Sequence, residues 1–189
     1  KLILKLLAPY FAITIFWTVF QNAWLSIIAY HIQILFWNYK DLRIDRLVIE
    51  RYSLLLLLSS SFTGLLVYFI LPHIAKVNIE DWFTTYQLSG IGLWFMIPYF
   101  GTLHPFLEQK HWRKLREETG FAHLAFSGYH ALVLFSLLKT EWVLACLAVL
   151  FGVSLIWKFV TQRNSSDSAC VLSHMLADSG MILAAFLAI

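Results

Sequence analysis

Apolar stretches long enough to cross a lipid bilayer follow one another along almost the whole chain, at about 6–37, 53–72, 91–107, 121–138, 142–160 and 170–189. A segment in hydrocarbon must satisfy its backbone hydrogen bonds internally, so such stretches fold as helices or as a closed barrel. Their length favours helices, which need ~20 apolar residues per crossing against ~10 for a strand. Only 13% of the 189 residues are charged and 60% are hydrophobic, whereas soluble domains carry about 25% charged residues. The expectation is an all-α, polytopic transmembrane bundle of about six spans forming one domain over 1–189. Lys1 stands where an initiator Met would, so the chain reads as trimmed at its N-terminus. The first apolar run is too long for a cleavable signal peptide, and no small-residue cleavage site follows it.

That first run of about 32 residues reads as one tilted span continuing into an interfacial segment, with Trp17, Trp24 and Trp37 as interface anchors. Gly90, Gly92, Pro98 and Gly101 mark a kinked or broken span. The connecting segments carry a strong charge bias. Segments 38–52, 108–120 and 158–169 hold Lys40, Arg43, Arg46, Arg51, Lys110, Arg113, Lys114, Arg116, Lys158 and Arg163, against Lys76 and Lys139 on the other side. By the positive-inside rule the basic side is cytoplasmic. No basic tract suits nucleic acid, and membrane lipids are the first partners implied. A prokaryotic cytoplasmic membrane fits a chain of this size. Cys146 and Cys170 fall in apolar segments and read as small core residues.

Polar groups inside such spans are costly, by about 2.5–3.5 kcal/mol for an Asp at a helix centre, and mark functional sites. Asp178 is the acidic residue set deepest in an apolar span, and His174 lies four residues earlier on the same helix face. The pair reads either as a structural contact between helices or as hydrogen-bonding groups aimed into a site. His130 sits mid-span, with His123 seven residues earlier on nearly the same face. A His pair suits metal or haem, but no Cys or carboxylate stands at ligand spacing beside them, so neither metal nor cofactor is expected. Glu108 closes the third apolar stretch, and Arg113 a turn beyond is placed to keep it ionised. Glu117 and Glu118 read as a solvated surface.

A Glu with a His can orient and deprotonate water, and a second His with an Asp or Asn neighbour can stabilise an oxyanion. In their order, the clusters Glu108-Gln-Lys-His-Trp-Arg113, Phe126-Ser-Gly-Tyr-His130 and His174-Met-Leu-Ala-Asp178 resemble the motifs of the CPBP family, which includes CAAX prenyl endopeptidases and bacteriocin-processing enzymes. That pattern runs EExxxR, FxxxH, then HxxxN or HxxxD, and the resemblance covers about 90–189. An alternative register on Glu117-Glu118 puts Ala122 at the Arg position and Leu155 at the His position, so it loses two functional groups where the Glu108 register loses one. The resemblance implies an intramembrane glutamic-type endopeptidase acting on a membrane-associated peptide or prenylated protein. It implies that Glu108 and His130 activate water, that His174 and Asp178 form the oxyanion side, and that Arg113, Gln109 and Phe126 support them. Gln109 stands at the second acidic position and can neither act as a base nor carry charge. That departure, with 17% aromatic residues, motivates the alternative of a non-catalytic relative serving as a scaffold or assembly subunit among other membrane proteins. A haem-binding or transport bundle, resting on seven scattered His, is the third class.

Overall fold

The computed structural model describes residues 1–188, and their fold is all-α. The helices are α1 (Leu2–Ile13), α2 (Ala23–Asn38), α3 (Arg51–Ser61), α4 (Thr63–Ile74), α5 (Ile79–Thr85), α6 (Ile91–Pro98), α7 (His104–Glu118), α8 (Phe121–Leu137), α9 (Thr140–Asn164) and α10 (Ser168–Leu187). Among the described residues β pairing is limited to an isolated bridge between Ala75 and Leu138. Among the described residues, four helical segments are long and apolar enough to cross a membrane: Leu2–Val19, Arg51–Ile74, Thr140–Asn164 and Ser168–Leu187. The apolar α8 is shorter. The outward side chains of Arg51–Ile74 include exposed Leu54, Leu55, Leu58, Leu65, Leu66 and Phe69. An apolar surface of that extent is covered by lipid rather than water, and the chain is a membrane protein.

The first apolar run differs from the single tilted span expected of it. It breaks at Gln21, whose φ of 48° lies in the left-handed region, and Asn22 caps α2 by accepting a hydrogen bond from the Leu25 N–H at 2.8 Å. The Asn22 side chain also donates to Gln87 at 2.6 Å. The two halves fold back as a hairpin, because Lys5 near the start of α1 and Asn38 at the end of α2 both bond to His111. A polar Gln-Asn pair in an apolar run supplies the turn and the cap that reverse the chain.

Segment 108–120 is helical rather than the connecting loop expected. Helix α7 continues to Glu118 and buries Glu108, Gln109, Lys110, His111, Trp112, Leu115 and Arg116. Glu117 and Glu118 are exposed. It is preceded by a π-helical turn, Tyr99–Leu103, inside the Gly/Pro-marked region. There Gly101 lies against α10, where a Cβ would collide with the Ser179 Oγ.

Helix α10 is the axis of the bundle, packing against α3, α4, α7 and the π turn. Small residues make this possible, as they do wherever membrane helices approach closely. Ser60 bonds to Ser173 at 2.7 Å, and a Cβ on Gly64 would meet the Gly180 backbone at 2.6 Å. Gly180→Val therefore overpacks this crossing and should cost about 1–3 kcal/mol, read as a lower Tm in detergent. Gly152→Val, with no atom within 4 Å of its Cβ, should leave Tm nearly unchanged.

The three basic segments meet at one end of the bundle, where an extended strap over residues 42–50 crosses it. The Ser166 and Ser168 hydroxyls donate to the Arg46 carbonyl at 2.9 and 3.0 Å. Arg113 donates to Asp45 at 2.6 Å, and Lys110 to Asp167 at 2.8 Å. Partial burial opposes ionisation of Asp45, but the Arg113 hydrogen bond and the Lys110 charge outweigh it and hold the carboxyl below its ordinary value. A depressed carboxylate stabilises the fold above the unfolded value near ~3.9 and loses that contribution as pH falls through the folded one. Tm measured from pH 6 to pH 3 should fall in the wild type below about pH 4, and Asp45→Asn should lower Tm at pH 6 and flatten that acid fall.

Candidate active site

Side chains from α2, α7, α8 and α10 converge beneath the charged end. Glu108 is completely buried. One of its oxygens, Oε1, accepts hydrogen bonds from the Tyr30 hydroxyl on α2 at 2.7 Å and from the Tyr129 hydroxyl on α8. The Trp112 indole N–H donates to the Tyr30 oxygen at 2.8 Å. An indole is a donor only, so the Tyr30 proton is left for Glu108. The other oxygen, Oε2, has no hydrogen-bond partner in the protein, and neither does Asp178 Oδ2. Both face two imidazole nitrogens. His174 Nε2 lies 3.4 Å from Glu108 Oε2 and 3.3 Å from Asp178 Oδ2. His104 Nε2 lies 3.8 and 4.0 Å from the same two atoms.

The neighbours of His174 determine which of its nitrogens carries the proton. Buried Arg116 donates through Nη2 to Gln109 Oε1 at 2.8 Å. A guanidinium cannot accept, so the amide oxygen of Gln109 must face Arg116 and its Nε2 must face His174. Gln109 Nε2 is 3.4 Å from His174 Nδ1. Nδ1 is then the acceptor, and the His174 proton sits on Nε2, directed at the two unpartnered carboxylate oxygens. The ring leans on Trp157, with centroids 4.7 Å apart, and Arg116 lies over the same Trp157 indole at 5.7 Å.

The residues singled out from the sequence are only partly assembled. Glu108, His174 and Asp178 come together. His130 reaches Glu108 through Tyr129: its Nδ1–H donates to the Phe126 carbonyl at 2.8 Å, and its Nε2 lies 3.2 Å from the Tyr129 hydroxyl. Phe126 is buried and supports the site through that carbonyl and its edge-on packing with Trp112. Arg113 does not hold Glu108. It is turned outward and pairs with Asp45, Asp167 and Glu117, while Arg116, one turn further along the inner face, takes the buried position. His123 is bonded to Ser154 at 2.9 Å and stands apart. Among the described residues no group of three or more His, Cys, Asp or Glu is disposed to hold a metal ion.

Several contributors escaped the sequence reading, Arg116, Trp112 and Trp157 among them. His104 carried a signal, being four residues before Glu108 on the same helix face. Tyr129 stands inside the Phe126–His130 motif. Tyr30 and His31 carry none, since they lie more than 70 residues from their partners on α7.

Comparison with protein-family models, with curated proteins and with solved structures gives no match for this chain. The chemistry therefore rests on the geometry of the cluster. Gln109→Glu tests its hydrogen-bond polarity: a carboxylate at this position accepts from both neighbours, so the His174 proton should move to Nδ1. Ring ¹⁵N shifts of labelled histidine would show this change, while an unchanged Nε2–H signal would mean that Gln109 does not set the tautomer.

Proposed function

We propose that this chain is a multi-pass intramembrane glutamic-type endopeptidase of the CPBP kind, in a prokaryotic cytoplasmic membrane, with its basic end toward the cytoplasm. The observation that carries this reading is Glu108, with one oxygen held by two phenols and the other unpartnered and facing His174 and Asp178. A carboxylate fixed on one oxygen and free on the other suits a general base. In the reaction, Glu108 Oε2 takes a proton from water as the water oxygen bonds to the scissile carbonyl carbon. The carbonyl π electrons move onto oxygen, and the His174 Nε2–H stabilises that oxyanion. As it collapses, the C–N bond breaks and the amine leaves with the proton held by Glu108. Asp178, whose Oδ2 lies 3.3 Å from His174 Nε2, orients the ring. His130 lies behind Tyr129, its Nε2 3.2 Å from the hydroxyl that holds Glu108, and does not itself touch water.

The substrates that fit are membrane-associated peptides, including prenylated protein tails. The second reading is a non-catalytic membrane scaffold or assembly subunit, favoured by the neutral Gln109 and by an Arg116 whose Nη1 has no partner. The two separate on one assay. Wild type reconstituted in vesicles should cleave a farnesylated CAAX peptide or a membrane-anchored leader peptide, and Glu108→Gln should lose at least about 10²-fold in kcat, as expected for loss of a general base. Equal rates, or no cleavage by wild type, would contradict the protease and favour the scaffold.

A further inference from the structure

A second run of buried hydrogen bonds approaches the same carboxylates from the side opposite Gln109. His104 Nδ1 is 3.1 Å from His31 Nε2, and His31 Nδ1 is 2.7 Å from the Tyr99 hydroxyl. His104 and His31 are buried, and Tyr99 is half-buried. Each neutral imidazole carries one proton on one nitrogen, so the run has a direction. His104 Nε2 faces two carboxylate oxygens without partners, which favours a proton there. Its Nδ1 is then an acceptor and must receive the His31 Nε2–H. His31 Nδ1 is in turn an acceptor and receives the Tyr99 O–H. The rings are held in place by packing, with His31 and His104 centroids 5.3 Å apart and Phe100 stacked on His104 at 4.8 Å.

Two histidines on different helices thus present Nε2–H to the same pair of oxygens, His174 through Gln109 and Arg116, His104 through His31 and Tyr99. An oxyanion site works with preorganised donors, commonly more than one. Asp178 is an acceptor when ionised and cannot be one of them. We infer that His104 is a catalytic residue of the proposed hydrolysis, donating its Nε2–H beside that of His174 to the developing oxyanion, and that His31 and Tyr99 are positioning residues which fix its tautomer. This assignment rests on the hydrolytic reading of Glu108. The electron balance is unchanged: both imidazoles donate hydrogen bonds only, and Glu108 alone takes and returns the proton.

Two measurements test it together. Ring ¹⁵N spectra of histidine-labelled wild type in micelles should show His31 and His104 as Nε2–H, with Tyr99→Phe relaxing the preference at His31. In vesicles, with the same farnesylated CAAX or leader peptide, His104→Ala should lower kcat by about 10²-fold with KM little changed. His104→Gln, which keeps an N–H donor, should recover part of that loss, and His31→Phe should lower kcat by a smaller factor. An Nδ1–H proton on His104 overturns the assignment. So does an active wild type whose kcat survives His104→Ala. A wild type that cleaves neither peptide overturns the hydrolytic reading itself, which separates the two failures.

Discussion

The arrangement depends on how one buried carboxylate is held. Glu108 is completely buried, and an ionised carboxylate held there without hydrogen-bond partners would be expelled or neutralised. Tyr30 and Tyr129 take one oxygen, and they come from two different helices, α2 and α8. The same two bonds therefore staple three helices at the level of the site. Trp112 extends the staple by donating to Tyr30 and stacking on Tyr129 with centroids 5.9 Å apart. What remains is the second oxygen, and the position of α10 places His174 and Asp178 against it.

That position is a consequence of small residues. Gly64, Ser60, Ser173 and Gly180 allow α10 to approach α3 and α4 at backbone distance, while Gly101 lets the π turn close on Ser179. A π turn shifts the register of the residues that follow it, and such turns are frequent at functional sites. Here it ends just before His104, which lies one turn ahead of Glu108 on α7. At the charged end, Lys110 and Arg113 bind Asp167 at the start of α10 and Asp45 on the strap, locking α7 to α10 above the cluster.

Much of this was legible in the residues and some was not. Apolar length announces helices because lipid leaves the backbone no other partner, so the all-α class follows directly. His174 and Asp178 share a face by their spacing of four, and they do meet. The single tilted first span failed because a two-residue polar break, Gln21-Asn22, is enough to cap a new helix and turn the chain. The placing of Arg113 beside Glu108 failed for a related reason. Charge content made 108–120 look like a connecting loop, whereas α7 is a helix with Arg116 buried and Arg113 turned outward. Tyr30 and His31 reach the site from a helix far away in sequence, and no local pattern encodes that approach.

The account stands on the Glu108 carboxylate lying beside two imidazole Nε2 atoms, which a distance measurement tests without any substrate. In wild type carrying ¹³C-carboxyl glutamate and ring-¹⁵N histidine, reconstituted in lipid, rotational-echo dephasing should show one glutamate carboxyl strongly coupled to histidine nitrogen, and Glu108→Gln should remove that signal. A spectrum in which no glutamate carboxyl is dephased, or in which the dephased carboxyl survives Glu108→Gln, would contradict it.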